Sequence, residues 1–203
     1  MTELLMSRLP ADEPAPETIE VELLVRRTLA GDSQAFEQLV LRYERRVMTL
    51  SARLLHGVDE AQDAAQEVFL RAFRYIHRFD SRRPLEPWLM RITVNVCRDF
   101  QRKTQQRHRT FSEIPSAEND TPGKEKDPYA GLAWEQQRQK LWKALNELPE
   151  KERMAVILRD VEGFSTSEVA EILNSSEGTV RSQICRGRLK IKDAMNLMTG
   201  ERS

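Results

Sequence analysis

The sequence predicts an all-α protein: two small helical domains joined by a flexible linker, the second containing a helix-turn-helix. Three observations carry this. Apolar residues recur at steps of three and four along most of the chain, and no strands alternate with the helices. A stretch of Ser, Glu, Asn, Pro, Gly and Lys (SAENDTPGKEKDP, residues 116–128) interrupts the helical pattern. Near the C-terminus, Ser165 stands three residues before Glu168 and heads an apolar periodic run, which is the signature of a capping box.

Length and composition bound the rest. A chain of 203 residues allows one or two small domains. Charged residues make up 32% with a formal net charge of zero, so any nucleic-acid site must be a local concentration of base. Cys97 and Cys185 lie far apart without a CxxC or Cys/His neighbourhood, and read as reduced thiols in a cytoplasmic protein. The apolar run Leu4-Leu5-Met6 is too short for a signal peptide, and no segment could span a bilayer.

Residues 1–19 read as a disordered tail, with Pro10, Pro14 and Pro16 among acids. From Glu20 the chain turns helical, and Gly31-Asp32 breaks that helix. Phe36, Leu39, Val40, Tyr43, Val47, Leu50 and Leu54 mark the next helix as core, ended by Gly57. Between Asp59 and Ile76, Ala61, Ala64, Ala65, Val68, Phe69, Ala72 and Phe73 form an apolar stripe. Asp59, Gln62, Asp63, Gln66 and Glu67 form the opposite face. Acid near a helix N-terminus suits the helix dipole; the same face could also dock a basic protein surface.

The segment Phe79-Asp80-Ser81-Arg82-Arg83-Pro84 is a loop, and Pro87 fits the first turn of the helix that follows. Leu89, Ile92, Val96 and Phe100 face inward there, while Arg91, Asn95, Arg98 and Arg102 form one polar stripe. Asn is mildly unfavourable inside a helix, so Asn95 either hydrogen-bonds the preceding loop or serves a ligand. Phe79 and Trp88 either pack normally or stack single-stranded bases, which is worth roughly 1–3 kcal/mol per base.

After the linker, Trp134 to Leu145 resumes a helix and Pro149 opens another, with Met154, Val156, Ile157, Leu158 and Val161 packed under the terminal motif. There Val169, Ile172 and Leu173 line a short helix that Asn174-Ser175-Ser176 stops. Ser176 caps a second helix with Val180 and Ile184 inward. Thr179, Arg181, Ser182, Gln183, Arg186 and Arg188 are its candidate DNA-binding residues. Such side chains reach base edges in the major groove and hold phosphates. Gly178 costs roughly 1 kcal/mol against Ala in the first turn, which suggests that a partner backbone or a phosphate approaches closely at the helix N-terminus. An ordinary helical hairpin with a wet basic face is the competing account.

The motifs AFEQLVLRYERRV, DEAQDAAQEVFLRAF, PWLMRITVNVCRD, LPEKERMAVILRDVEGFSTSEVAEIL and SEGTVRSQICRGRLKIK, in that order, resemble the bacterial RNA polymerase sigma factors. With two domains only, the chain is similar to their extracytoplasmic-function group. The resemblance implies a region 2 at 20–104, a linker at 105–131 and a region 4 at 132–203. The helix with Asp59, Gln62, Asp63, Gln66 and Glu67 would bind core polymerase, chiefly the β′ subunit, with β as a further partner. Phe79, Trp88, Arg91, Asn95 and Arg98 would recognise and open the −10 element. The second helix of the terminal motif would read the −35 element, about 17 base pairs or roughly 60 Å away. An anti-sigma factor, often membrane-bound, is the implied regulator. Gln183 and Gly187 depart from the family's commoner residues.

Rival readings need features that are missing from the sequence. A response-regulator-type activator would need a βα receiver domain. A helical scaffold that binds only protein would leave the arginine stripes unexplained, and a helix-turn-helix regulator acting without core polymerase binding is the alternative that co-purification with core polymerase separates. For an enzyme, His56, His77 and His108 form no ligand set, and no nucleophile elbow or phosphate loop is present. No catalytic residue, metal, cofactor or small-molecule substrate is expected.

Overall fold

A computed structural model describes residues 16–55, 58–110 and 128–199, and among them there are eight α-helices and no strand. The first lobe holds α1 (Pro16–Leu29), α2 (Ser33–Leu54), α3 (Val58–Tyr75) and α4 (Leu85–Thr110). The second holds α5 (Pro128–Asn146), α6 (Glu150–Val156), α7 (Thr166–Leu173) and α8 (Glu177–Thr199). The residues expected to form a linker at 105–110 and 128–131 continue the flanking helices instead. Helix α1 likewise begins at Pro16, inside the expected tail. Residues 1–15, Gly57 and 111–127 lie outside the described residues.

Local chemistry sets the helix ends. Gly31, at φ +93°, turns the chain after α1, and Asp32 then caps α2 by accepting from the Gln34 and Ala35 amides at 3.0 and 3.2 Å. A hydrogen bond from Arg27 and these two amides hold the Asp32 carboxyl below the usual range. The predicted capping box is present: the Glu168 amide donates to Ser165 Oγ, and the Glu168 carboxylate accepts from the Ser165 amide. Asn174 ends α7 in the left-handed region at φ 52°, which short polar side chains tolerate. The Ser176 hydroxyl caps α8 by accepting from the Thr179 amide at 3.2 Å.

The apolar stripes meet as their spacing requires, with two exceptions. Leu50, Leu54, Ala64, Val68, Met90 and Val94 are buried in the first lobe; Leu145, Met154, Ile157, Leu158, Ile172 and Val180 in the second. Phe73 is 55% exposed and meets Phe36 edge-on, with centroids 5.0 Å apart. It lies one residue past inward-facing Ala72, which turns it about 100° around the helix. Val161 is 38% exposed because α6 runs into a wider π-type turn at Ile157–Val161, closed by the Glu162 amide donating to the Ile157 carbonyl.

The two lobes are not separate bodies on a tether. One apolar cluster runs from Val47, Leu54 and Cys97 in the first lobe to Met154, Leu158 and Phe164 in the second, and α7 packs on α4. No helix among the described residues is long and apolar enough to cross a membrane.

Candidate nucleic-acid interface

Three surfaces carry the polar residues singled out by the sequence. On α3, Asp59, Gln62, Asp63 and Gln66 are exposed along one face, with Ala61, Ala64, Ala65 and Val68 buried behind them. Glu67 is partly buried and differs from the others. It accepts from Arg71 at 2.7 Å, and Arg71 also donates to Asp99 on α4 at 2.9 Å. Burial pushes the Asp99 carboxyl up, but hydrogen bonds from Arg71 and Arg102 outweigh this and leave it below its ordinary value. Glu67 thus helps tie α3 to α4, while the four residues before it stand free of that network.

On α4, Arg91 and Asn95 are exposed, with Arg98 one turn further on and partly buried. No hydrogen bond from the Asn95 amide is found among the described residues, so it does not anchor the preceding loop. Thr93, by contrast, is buried and donates its hydroxyl to the Leu89 carbonyl at 3.0 Å. Phe79 is buried against Trp88, with ring centroids 5.2 Å apart, in a small cluster with Leu24, Val25, Leu39 and Leu85. Trp88 keeps part of its ring accessible. The loop between them is organised by Asp80, which accepts from the Arg82 side chain and amide. These bonds hold its carboxyl down to about 2.

On α8, Thr179, Arg181, Ser182, Arg186 and Arg188 are exposed. Arg181 pairs with Glu177 one turn before it, a surface contact that costs little to exchange for a nucleic-acid ligand. Arg188 is held by two hydrogen bonds to Asp160, which raise its pKa and tie α8 to the segment before α7. Gln183 is only 8% exposed, and its Oε1 has no hydrogen-bond partner. The sequence placed Gln183 on the polar face of this helix with Arg181, Ser182, Arg186 and Arg188, but it lies next to inward-facing Ile184 and turns with it.

Cys185 is exposed, three and four residues after Ser182 and Arg181. It shares their outward face, and so does Leu189, which is 59% exposed. The sequence reading considered Cys185 only as a thiol, although its helical spacing from Arg181 already put it on this face. At Gly178 an added Cβ would meet nothing within 4 Å, so the first turn of α8 presents open backbone.

Across the seam between the lobes, Arg153 of α6 is 5% exposed and donates to the Leu54 carbonyl at the end of α2, at 3.1 Å. Burial pulls its pKa down. Arg53 pairs with Glu162, Arg83 with Glu171 at 2.6 Å, and Arg98 with Glu150 at 3.2 Å. The Arg46 guanidinium lies over the Phe164 ring at 5.3 Å. A cleft of about 280 Å³ opens along this seam, lined by Arg98, Glu150, Lys151, Asn174, Thr179 and Gln183.

Comparison with known proteins fits this arrangement. Residues 39–107 match the family described as Sigma-70 region 2, and residues 138–191 the family described as Sigma-70, region 4. RNA polymerase sigma-H factor of Pseudomonas aeruginosa is 32% identical over 183 residues, covering 88% of this chain and 95% of that protein. ECF RNA polymerase sigma-E factor of Escherichia coli K12 is 35% identical over 178 residues, covering 85% and 92%. Among solved structures, CnrH in complex with the cytosolic domain of CnrY shares the fold, with a TM-score of 0.64 and 22% identity over 88% of this chain and 98% of that one. The sigma factor RpoE of Bartonella quintana, in complex with the anti-sigma factor NepR, superposes with a TM-score of 0.60 and 25% identity, covering 79% and 96%.

Proposed function

The chain belongs to the sigma-70 family of RNA polymerase sigma factors, in its extracytoplasmic-function group, and we propose that its three polar surfaces divide the work of starting transcription. It is an alternative sigma factor that directs core RNA polymerase to promoters. Its partners are core polymerase and promoter DNA, and by analogy with the related complexes an anti-sigma factor restrains it. On this reading the domain limits are 20–104 for region 2 and 132–203 for region 4. The protein works in the cytoplasm and has no catalytic centre of its own, since RNA synthesis belongs to the polymerase.

In detail, Asp59, Gln62, Asp63 and Gln66 dock on the β′ subunit, with Glu67 bracing α3 against α4. Arg91, Asn95 and Arg98 contact the −10 element, with Trp88 supplying the accessible aromatic surface and Phe79 supporting it from beneath. Arg181, Ser182 and Arg186 read the −35 element, joined by Cys185. Thr179 and the open backbone at Gly178 face a phosphate at the helix N-terminus. Arg188 braces α8, and Gln183 is held in reserve beneath the reading face.

The observation that carries this reading best is the capped pair α7–α8, whose outward face is arginine, hydroxyl and thiol while Val180 and Ile184 are buried. The test is reconstitution with purified core polymerase on a promoter selected from the DNA the protein occupies in cells. Transcription that depends on adding this chain is expected. Asp63→Arg should leave the fold intact and weaken co-elution with core at moderate salt. Unchanged co-elution would remove α3 as the docking face.

A further inference from the structure

A buried acid of the second lobe faces the reading helix. Glu152, in the first turn of α6, is 8% exposed, whereas Glu150 in the same turn is open to solvent. Acid that serves the dipole of α6 needs no burial, and a carboxylate taken out of water is costly unless it is paired. The partners of Glu152 both lie on α8. Lys190 donates to its Oε2 at 2.8 Å, and the Nε of Arg186 lies 3.8 Å from its Oε1. Arg186 and Lys190 are four residues apart and share one side of the helix. Gly187 stands between them and lets α6 come this near: an added Cβ there would lie 3.5 Å from the Glu152 carbonyl oxygen.

We propose that Glu152 is a positioning residue for −35 recognition: it holds the Nε side of the Arg186 guanidinium and leaves the two terminal nitrogens as a fork for guanine. This rests on the sigma-factor reading of α8 and deepens it, naming the base that Arg186 takes and the residue that aims it.

A guanidinium carries five N–H donors in a rigid plane. In Arg186 the Nε side is engaged, donating to the Ser182 carbonyl at 3.3 Å and facing the Glu152 carboxylate. The terminal nitrogens make no hydrogen bond among the described residues, and the side chain is 62% exposed. Two parallel donors match O6 and N7 of guanine, a pair of acceptors that no other base presents in the major groove. An arginine free to turn would meet a phosphate as readily, and phosphate contacts carry no sequence information. The same carboxylate occupies Lys190, a second cation that a phosphate would otherwise draw. One acid thus restrains two bases and favours reading over general adhesion. Arg181 is held differently, by exposed Glu177 of its own helix, a pairing that exchanges easily.

The test uses the full chain assembled with core polymerase. Its probe is a labelled −35 duplex selected from the DNA the protein occupies in cells, with each base pair replaced in turn, against random duplex of equal length. Wild type should prefer guanine at one position, and Arg186→Ala should abolish that preference. Glu152→Gln keeps the size of the side chain and removes its charge. It is expected to cut the guanine preference about fivefold to tenfold and leave the other positions unchanged. It should also steepen the log–log salt dependence by about 0.9, as Lys190 turns to a phosphate. Glu152→Asp keeps the charge but shortens the reach, so it should keep the wild-type salt slope and lose part of the preference. This variant carries the test if Glu152→Gln does not fold. In an Arg186→Ala background, Glu152→Gln should no longer alter base preference. Equal weakening at every base pair with a lower melting temperature would make Glu152 a strut and overturn the proposal. So would an undiminished guanine preference, a preference of Arg186 for another base, or an effect of Glu152→Gln on base choice that persists without Arg186. Wild-type holoenzyme that does not prefer the selected duplex to random DNA would instead overturn the sigma-factor reading, and this proposal with it.

Discussion

At the scale of single residues, exposure and hydrogen-bonding separate readers from braces. Asn95 sits in mid-helix, where its side chain weakens the helix slightly, yet it is exposed and has no hydrogen bond among the described residues. On the proposed reading, Asn95 serves the −10 element. Holding an extruded base must return the few kcal/mol that unstacking costs. Asn95→Ala should therefore keep core binding and −35 recognition but lose open-complex formation. A template already unpaired at −10 should rescue opening without restoring base choice. A lower melting temperature with normal transcription at low temperature would show a structural role instead. Cys185 gives a second test at this scale. It is exposed on the face that carries Arg181 and Ser182, so alkylating its thiol with a bulky maleimide should block −35 binding. Protection of the thiol by bound −35 duplex would confirm the contact; equal labelling with and without DNA would place it off the interface.

At the scale of helices, two glycines of α8 predict opposite outcomes. At Gly187 an added Cβ would lie 2.7 Å from the Val156 Cγ2 methyl, with Leu148 also close. Val156 is buried and β-branched, so it cannot swing aside, and the overlap should cost more than the roughly 1 kcal/mol gained in helix propensity. Gly187→Ala is expected to lower the melting temperature by about 2–6 °C. At Gly178 the space is open, so Gly178→Ala should raise stability by up to about 1 kcal/mol and weaken −35 binding if a phosphate approaches there. Thermal melts and duplex titrations of both variants decide the matter. Helices, caps and inward faces were legible in the sequence because each depends on neighbours within a few positions, as at Ser165–Glu168 and Ser176–Thr179. The candidate surfaces on α3 and α4 were legible for the same reason. Gln183 was not, because one residue of helical phase decides which side it takes. Nor was the seam: Arg153 reads as an ordinary exposed helix cation until Leu54, 99 positions earlier, is folded against it.

At the scale of the molecule, the polypeptide between α4 and α5 allows far more separation than the lobes adopt. Between Thr110 and Pro128, 17 intervening residues could span roughly 60 Å if fully extended. The lobes instead share an apolar cluster, cross-lobe ion pairs and a buried guanidinium. A tether alone would give the free protein a broad range of lobe separations, whereas a shared core gives one short separation. Tyr75, 37% exposed at the end of α3, and Cys185, exposed on α8, are suitable positions for a donor and an acceptor fluorophore. With Tyr75→Cys and the native Cys185 labelled, the free chain should show one narrow distribution of transfer efficiency. Core polymerase should shift it to lower transfer, since the lobes must then reach sites roughly 60 Å apart. A broad distribution in the free chain would mean that the tether governs. A narrow one that core polymerase does not move would mean that the lobes never part, and two-element recognition by this chain would fail with it.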